Sequence, residues 1–157
     1  MGNGHPIAAT IASSELIDEF STHSHYFNTF GGNPVSCAAG LAVLDVIEQE
    51  DLQQNALTTG QYLTDGLTKL AGKHAAIGDI RGSGFFKAVE LVSDRESRVP
   101  AKGLAANMVN ALRNRGVLIG AIGPHDNILK LRPPMVFSQE NADFFLGVLD
   151  DVLDTAQ

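Results

Sequence analysis

The chain has 157 residues, 44% of them hydrophobic, with one cysteine and a net charge of −7 from 18 acidic and 11 basic residues. This length predicts one ordinary domain, or a small domain joined to part of another, and the single cysteine excludes an internal disulfide and favours a cytoplasmic setting. The acidic balance argues against nucleic acid as a partner, and the lack of an apolar run of ~18 residues or of a leader pattern argues against a membrane span and a signal peptide.

The chain opens on a turn-rich segment, Met1–Pro6. Natural domains seldom begin inside such a motif, so we expect the chain to be cut from a longer protein. The apolar run Ile7–Ala12 predicts a short buried strand, and the residues after it predict a brief helix over 15–20 that begins at a serine cap.

The polar stretch 21–26 contains two histidines, His23 and His25. Their spacing would place both on one side of an extended segment, but no third ligand candidate lies close in sequence. We therefore predict a solvated loop here and no metal site. His5, in the first turn, is a weak candidate for a catalytic base.

The stretch around which the chain is organised covers residues 27–37. Gly31 and Gly32 accept backbone angles that a Cβ would forbid, which predicts a tight turn. Asn33 suits a helix N-cap and Pro34 the first helical position, so we expect a helix from there to about residue 48.

The start of that helix is a candidate anion site. Its free amides carry the positive end of the helix dipole, and the Thr29 hydroxyl lies close to them in sequence. Phosphate is the anion that such a site favours most. A capped helix that simply follows a loop is the alternative, and the neighbouring motifs decide between the two.

The segment from residue 51 to about residue 72 predicts one long amphipathic helix. Its apolar face repeats at steps of three and four residues: Leu52, Ala56, Thr59, Leu63, Leu67 and Leu70. We expect this helix to link one lobe of the protein to another.

Beyond residue 75 the pattern changes to short strands and helices, which is typical of a two-layer α+β lobe. The predicted elements are strands over 77–81 and 85–92 joined by a glycine-rich turn, a helix over 102–115, strands over 117–120 and 128–132, and a last helix capped by Ser138. We therefore expect a small sheet of about four strands flanked by two helices.

Two cations share one face of the last predicted strand, where Lys130 and Arg132 alternate with Leu129 and Leu131. One interpretation is a solvated sheet face covered by the side-chain stems. The other is a clamp for a carboxylate or a phosphate, held in place by the proline pair that follows. The turn Arg81–Gly84 leaves a similar choice between ligand contact and bracing.

Four motifs occur in order along the chain: Met-Gly-Asn-Gly-His-Pro, Phe-Asn-Thr-Phe-Gly-Gly-Asn-Pro, Ile-Gly-Asp-Ile-Arg-Gly-Ser-Gly and Lys-Leu-Arg-Pro-Pro. Together they resemble the C-terminal part of class III pyridoxal-phosphate-dependent aminotransferases, over essentially all 157 residues. The resemblance implies an α/β protein of the fold type I architecture. Residues 1–50 would finish the large cofactor-binding domain, residues 51–74 would form the linking helix, and residues 75–157 would form the small C-terminal domain.

The resemblance also implies that the main catalytic groups lie outside this chain. In the family, the lysine that binds the cofactor comes just before the first of the four motifs, so it is expected immediately upstream of Met1, and the aspartate that pairs with the pyridinium nitrogen is expected further upstream. Lys69, Lys73 and Lys130 do not match that lysine. By itself the chain is therefore expected to hold no catalytic residue and to be inactive.

Thr29 matches the threonine with which the family binds the cofactor phosphate across a dimer interface. The resemblance therefore implies pyridoxal 5′-phosphate as the cofactor of the full-length protein and a homodimer as its assembly. It implies cofactor contacts from Thr29, Phe30 and Gly31.

Lys130 stands where many family members have the arginine of an Arg-x-x-Pro motif, which binds the substrate carboxylate. Arginine offers a fork that fits a carboxylate, whereas lysine offers a point charge. The departure resembles the phospholyase branch of the family, which eliminates phosphate from phosphoethanolamine or phosphohydroxylysine. The leading prediction is an aminotransferase fragment acting on a small amine or amino acid, with Lys130 and Arg132 binding substrate. A phospholyase fragment and a non-catalytic dimerisation module are the alternatives.

Overall fold

The computed structural model describes residues 1–155 and divides the chain into two compact units, Met1–Asp51 and the residues from Leu52 onward. The helix that begins at Leu52 groups with the second unit. Among the described residues, none of the helices is both long and apolar enough to cross a membrane.

The first unit contains two helices, α1 (Ser14–His23) and α2 (Pro34–Gln49). The helix predicted from Pro34 is confirmed, with Asn33 as its N-cap. The strand predicted over Ile7–Ala12 is wrong: this segment has no regular secondary structure in the described chain. An apolar run forms a strand only where a neighbouring strand supplies hydrogen-bond partners, and this unit offers none.

Helix α1 is longer than predicted and takes in part of the expected loop. It continues to His23, whose Nδ1 lies 3.5 Å from the Glu19 carboxylate one turn earlier. A pair at this spacing supports the last turn of an exposed helix. His23 is therefore a helical residue and not part of the solvated loop that the sequence indicated.

The second unit is a mixed α/β fold. Its helices are α3 (Leu52–Lys73), α4 (Lys102–Asn114) and α5 (Gln139–Thr155), and its strands are β1 (Ile77–Ser83), β2 (Phe86–Asp94), β3 (Val99–Pro100), β4 (Gly120–Ile122) and β5 (Ile128–Leu131). Ser138 caps α5 through a reciprocal pair of bonds with Asn141, as its sequence position predicted.

The sheet is antiparallel with the strand order β1-β2-β5-β4, and the short β3 pairs with β2. It therefore has five strands instead of about four. The fourth strand lies later than the predicted 117–120, because the Val117 amide bonds to Leu112 and the Gly116 amide to Arg113. These bonds close the end of α4, so pairing with β5 starts only at Gly120.

One face of the sheet is buried under the helices. Helices α3 and α4 contact the sheet, and α5 packs against both of these helices. The core is built from alternate strand residues and the apolar helix faces, including Val89, Leu91, Leu129, Leu131, Leu63, Leu67, Met108, Leu112 and Leu149.

Lys87 lies in this inward-facing row of β2 and is only 7% exposed. Its Nζ makes one long contact of 3.4 Å with the Gly82 carbonyl. Burial lowers the pKa of Lys87 because the charged form loses water and gains no carboxylate partner in the part of the chain that the structure describes.

Candidate functional site

The turn before α2 is closed by its own asparagine. The Asn28 side-chain oxygen accepts hydrogen bonds from the amides of Phe30 (3.2 Å) and Gly31 (3.1 Å), and Gly31 also donates to the Asn28 carbonyl at 3.2 Å. Gly32 follows with a φ of +67°, which glycine adopts without strain. The tight turn predicted from the two glycines is confirmed.

The amides at this turn are less free than the sequence indicated. The Asn33 side-chain oxygen accepts a hydrogen bond from the Ser36 amide at 2.9 Å, and the Asn28 side-chain oxygen accepts from the amides of Phe30 and Gly31. Thr29 is exposed, and within residues 1–155 its hydroxyl makes no hydrogen bond. The groups that this turn still offers to an anion include the Thr29 hydroxyl and the dipole of the 16-residue helix behind it.

A chain of hydrogen bonds links the first turn of the protein to this one. His5 Nε2 lies 2.9 Å from Ser36 Oγ, and the Asn33 side-chain amide donates both to Ser36 Oγ (3.0 Å) and to the Phe30 carbonyl (2.9 Å). The contact between His5 and Ser36 could not be predicted from the sequence, because 31 residues separate them. The asparagine–serine pair three residues apart is the kind of local capping pattern that sequence can indicate.

The second unit holds a cleft of about 720 Å³ into which Lys130 and Arg132 both open. The other walls are largely apolar and come from the segment after α4, the proline pair and α5: Leu118, Ile119, Pro133, Pro134, Phe137, Phe144 and Phe145. The structure thus brings together the two cations that the sequence singled out. It also adds an apolar wall from α5 that the sequence did not indicate.

Lys130 and Arg132 are not neutralised within the described chain: neither lies within salt-bridge distance of a carboxylate there. Lys130 is half-buried on β5, while Arg132 follows the strand and is exposed. The predicted alternation is confirmed within β5, where Leu129 and Leu131 are buried. Two unpaired cations two residues apart can bind a carboxylate or a doubly charged anion.

Arg81 has carboxylate partners and does not line this cleft. Its Nη1 lies 2.5 Å from Asp79 and 2.6 Å from Glu90, and these hydrogen bonds, that of Asp79 first, raise the pKa of Arg81. Because Asp79 and Glu90 face each other in the β1–β2 ladder, the arginine braces that strand pair. Bracing is therefore the role that its contacts favour.

A histidine–carboxylate cluster joins the end of α3 to α5. His74, Asp150 and Asp154 offer ligand atoms within 4.8 Å of one another, a grouping that the prediction of no metal site did not anticipate. Lys73 Nζ, however, lies 2.8 Å from each of the two carboxylates, and its hydrogen bond and that of His74 lower the pKa of Asp150. Lys73 already supplies the positive charge that a metal ion would bring to the two carboxylates, so the cluster is an ion network that joins α3 to α5.

Comparison with known proteins finds relatives that match nearly the whole chain. The family model described as aminotransferase class-III matches residues 1–153. The Drosophila melanogaster protein "Alanine--glyoxylate aminotransferase 2-like" is 49% identical over 148 residues, covering 93% of this chain and 30% of its own. The Caenorhabditis elegans protein "Ethanolamine-phosphate phospho-lyase homolog 1" is 44% identical over 154 residues, covering 98% of this chain and 33% of its own.

A solved structure is also similar over nearly the whole chain. It is a phospholyase from Arthrobacter in complex with phosphoethanolamine, with 48% identity and a TM-score of 0.93, and the match covers 99% of this chain and 37% of that one. The chain thus spans roughly a third of the length of the proteins that it matches.

Proposed function

The chain belongs to the class-III aminotransferases, and we propose that the protein containing it uses pyridoxal 5′-phosphate to move an amino group between a small amine or amino acid and a keto acid. The family match over residues 1–153 carries this proposal. Residues 1–50 would complete the cofactor domain, 51–74 would form the linking helix and 75–157 the small domain. When bound, the cofactor supplies an electron sink for the substrate.

For the cofactor phosphate we propose the turn before α2. The donor set suits a phosphate, since an exposed hydroxyl without a hydrogen-bond partner among residues 1–155 stands near the N-terminal end of a long helix. Thr29 would donate its hydroxyl hydrogen to a phosphate oxygen, and Phe30 and Gly31 would line the same turn. The phosphate would belong to the cofactor of the second subunit of a homodimer. A cytoplasmic location stays a prediction from the cysteine content.

A phospholyase is the second candidate, and the cleft supports it. Lys130 and Arg132 supply two positive charges without a carboxylate partner among the described residues, which suits a phosphate dianion. The similar Arthrobacter structure is described as a complex with phosphoethanolamine. In this version the two side chains would hold the substrate phosphate, and the apolar wall would limit the water around it.

The two functions differ in what they consume. An aminotransferase transfers the amino group only when a keto acid is present, whereas a phospholyase releases phosphate and ammonia without one. We expect the purified full-length protein, incubated with amine donors, to form new amino acid in proportion to the keto acid added. The 157-residue chain alone is the negative control. A full-length protein that retains no pyridoxal phosphate and shows neither reaction would refute the proposal.

Lys130→Arg tests the substrate role of the cleft in the full-length protein. The arginine fork should raise kcat/KM for an α-amino acid over that for a phosphorylated amine, by about tenfold, which corresponds to roughly one charge-assisted hydrogen bond. Lys69→Arg, an exposed change on α3, is the matched control and should leave the ratio unchanged. An unchanged ratio in Lys130→Arg would show that this side chain does not select the substrate.

A further inference from the structure

We propose that His5 is a positioning residue for the phosphate-binding turn, acting through Ser36 and Asn33. The proposal rests on the function proposed above for that turn. His5 lies outside the phosphate-binding turn and would touch neither cofactor nor substrate. Its effect would pass through side chains that end on the Phe30 carbonyl, within the turn itself.

Hydrogen-bond contacts run without a break from His5 through Ser36 and Asn33 to the Phe30 carbonyl. Ser36 Oγ accepts a hydrogen bond from Asn33 and lies 2.9 Å from His5 Nε2, so it joins the two side chains. The second hydrogen of the Asn33 amide goes to the Phe30 carbonyl at 2.9 Å, and its oxygen caps the Ser36 amide. The three hydrogen bonds of the Asn33 side chain therefore all connect the turn to the first residues of the helix.

His5 is itself held in place by the backbone around it. Its amide bonds to the Gly2 carbonyl at 3.0 Å, and Gly4 between them has a φ of +106°. A Cβ at Gly2 would lie 2.2 Å from the His5 carbonyl oxygen, so this turn tolerates no side chain there. The imidazole is thus presented from a rigid turn.

A second contact fixes the same segment on the same face of α2. Gly40 is buried, and a Cβ there would lie 3.3 Å from Ile7 Cδ1. Gly40 follows Ser36 by four residues, which places both on one face of the helix. His5 and Ile7 therefore dock the first seven residues along the first turns of α2.

This arrangement has a consequence for the turn. Linked hydrogen bonds in a partly buried site strengthen one another, so loss of the His5 end loosens Ser36 and then the Asn33 amide. The turn that carries Thr29 and Gly31 would then be held only by Asn28 and by the Asn33 backbone amide, which bonds to the Phe30 carbonyl at 3.3 Å, among the contacts of the described residues. Affinity for a phosphate should fall, while affinity for the rest of the cofactor should not.

The test uses the full-length protein and two ligands that differ only in the phosphate, pyridoxal phosphate and pyridoxal. Dissociation constants are measured for wild type, His5→Phe, His5→Gln and Ser36→Ala. We expect His5→Phe and Ser36→Ala to weaken pyridoxal phosphate about three- to tenfold, as for one lost hydrogen bond, with no change for pyridoxal. His5→Gln should restore affinity because its amide can bond to Ser36 Oγ. His125→Phe, an exposed change in the second unit, is the control and should change neither constant.

Each other outcome is decisive. Equal weakening of both ligands in His5→Phe and Ser36→Ala would mean that the contact only stabilises the fold, and no weakening would mean that it does not reach the turn. Either result overturns the positioning role. A wild-type protein that binds both ligands equally would instead overturn the proposed phosphate site itself. The two failures are thus distinguishable.

Discussion

Replacing Gly60 by alanine should destabilise the second unit because α3 lies directly against the β1–β2 connection at that position. A Cβ at Gly60 would lie 2.4 Å from the Gly84 carbonyl oxygen and 2.6 Å from its carbon. Both atoms belong to the backbone, and Gly84 has a φ of +50°. No side-chain rotation can relieve the overlap, so the helix or the turn must move.

The expected magnitude is the difference of two terms. Alanine in place of glycine in a helix interior gains about 1 kcal/mol in the free energy of unfolding. Overpacking a well-filled site costs about 1–3 kcal/mol, or more where the backbone must shift. Since the overlap is with the backbone, the cost should reach or exceed the upper end, and Gly60→Ala should lose about 2 kcal/mol net.

Gly147→Ala in α5 is the matched control because it makes the same chemical change in a helix interior. No atom of the described residues lies within 4 Å of a Cβ placed there, so this variant should gain up to about 1 kcal/mol. Urea unfolding followed by far-ultraviolet circular dichroism measures all three proteins. If Gly60→Ala were as stable as wild type, or shifted in the same direction as Gly147→Ala, α3 would not pack against Gly84 as described.

Two further predictions concern ionisable groups. Lys87→Met should raise the free energy of unfolding at pH 7 by about 1–2 kcal/mol, because it removes a buried ammonium that has no carboxylate partner among the described residues. Burial penalises only the charged form of Lys87, so the stability gained by Lys87→Met should shrink as the pH rises toward 10.5, where the lysine is largely neutral in the folded protein. Urea titrations at pH 7 and near pH 10.5 measure this gain, with the exposed Lys69→Met as control. No gain at pH 7 would contradict the prediction. Asp150→Asn should destabilise the protein at pH 7, because the carboxylate loses its bonds from Lys73 and His74. Because the pKa of Asp150 is lowered, its carboxylate stabilises the folded protein above pH 3.8 and loses this effect as the pH falls below that value. The difference in stability between wild type and Asp150→Asn should therefore close in acid. A difference that persisted there would show that the hydrogen bonds do not depend on the charge.

Local signals in the sequence determined most of the secondary structure. The asparagine–proline pair fixed the start of α2 at Pro34, and the serine at 138 fixed the start of α5. Such signals succeed because caps, turn glycines and amphipathic repeats act between residues a few positions apart. The antiparallel hairpin of β1 and β2 could be predicted for the same reason. The four motifs also identified the family, which the match over residues 1–153 confirms.

The sequence failed where a residue depends on a distant partner. Ile7–Ala12 has the composition of a strand but no neighbouring strand in the described chain, and Val117 closes α4 instead of pairing with β5. Lys87 has the charge of a surface residue, but the strand alternation places it in the core row. Strand pairing and burial are decided by the whole sheet, which a local pattern does not contain.

For the candidate sites, too, the sequence predicted the local features and not the distant contacts. The sequence identified the candidate site residues, since Lys130 and Arg132 follow the strand period and Thr29 follows a recognisable motif. Only the tertiary structure decided what surrounds them: the apolar wall of α5 beside the two cations, and the contact from His5 to Ser36 across 31 residues. The physical reason is that residue type and spacing fix the charge and hydrogen-bonding capacity of a side chain, whereas its partners are fixed only when distant segments pack together.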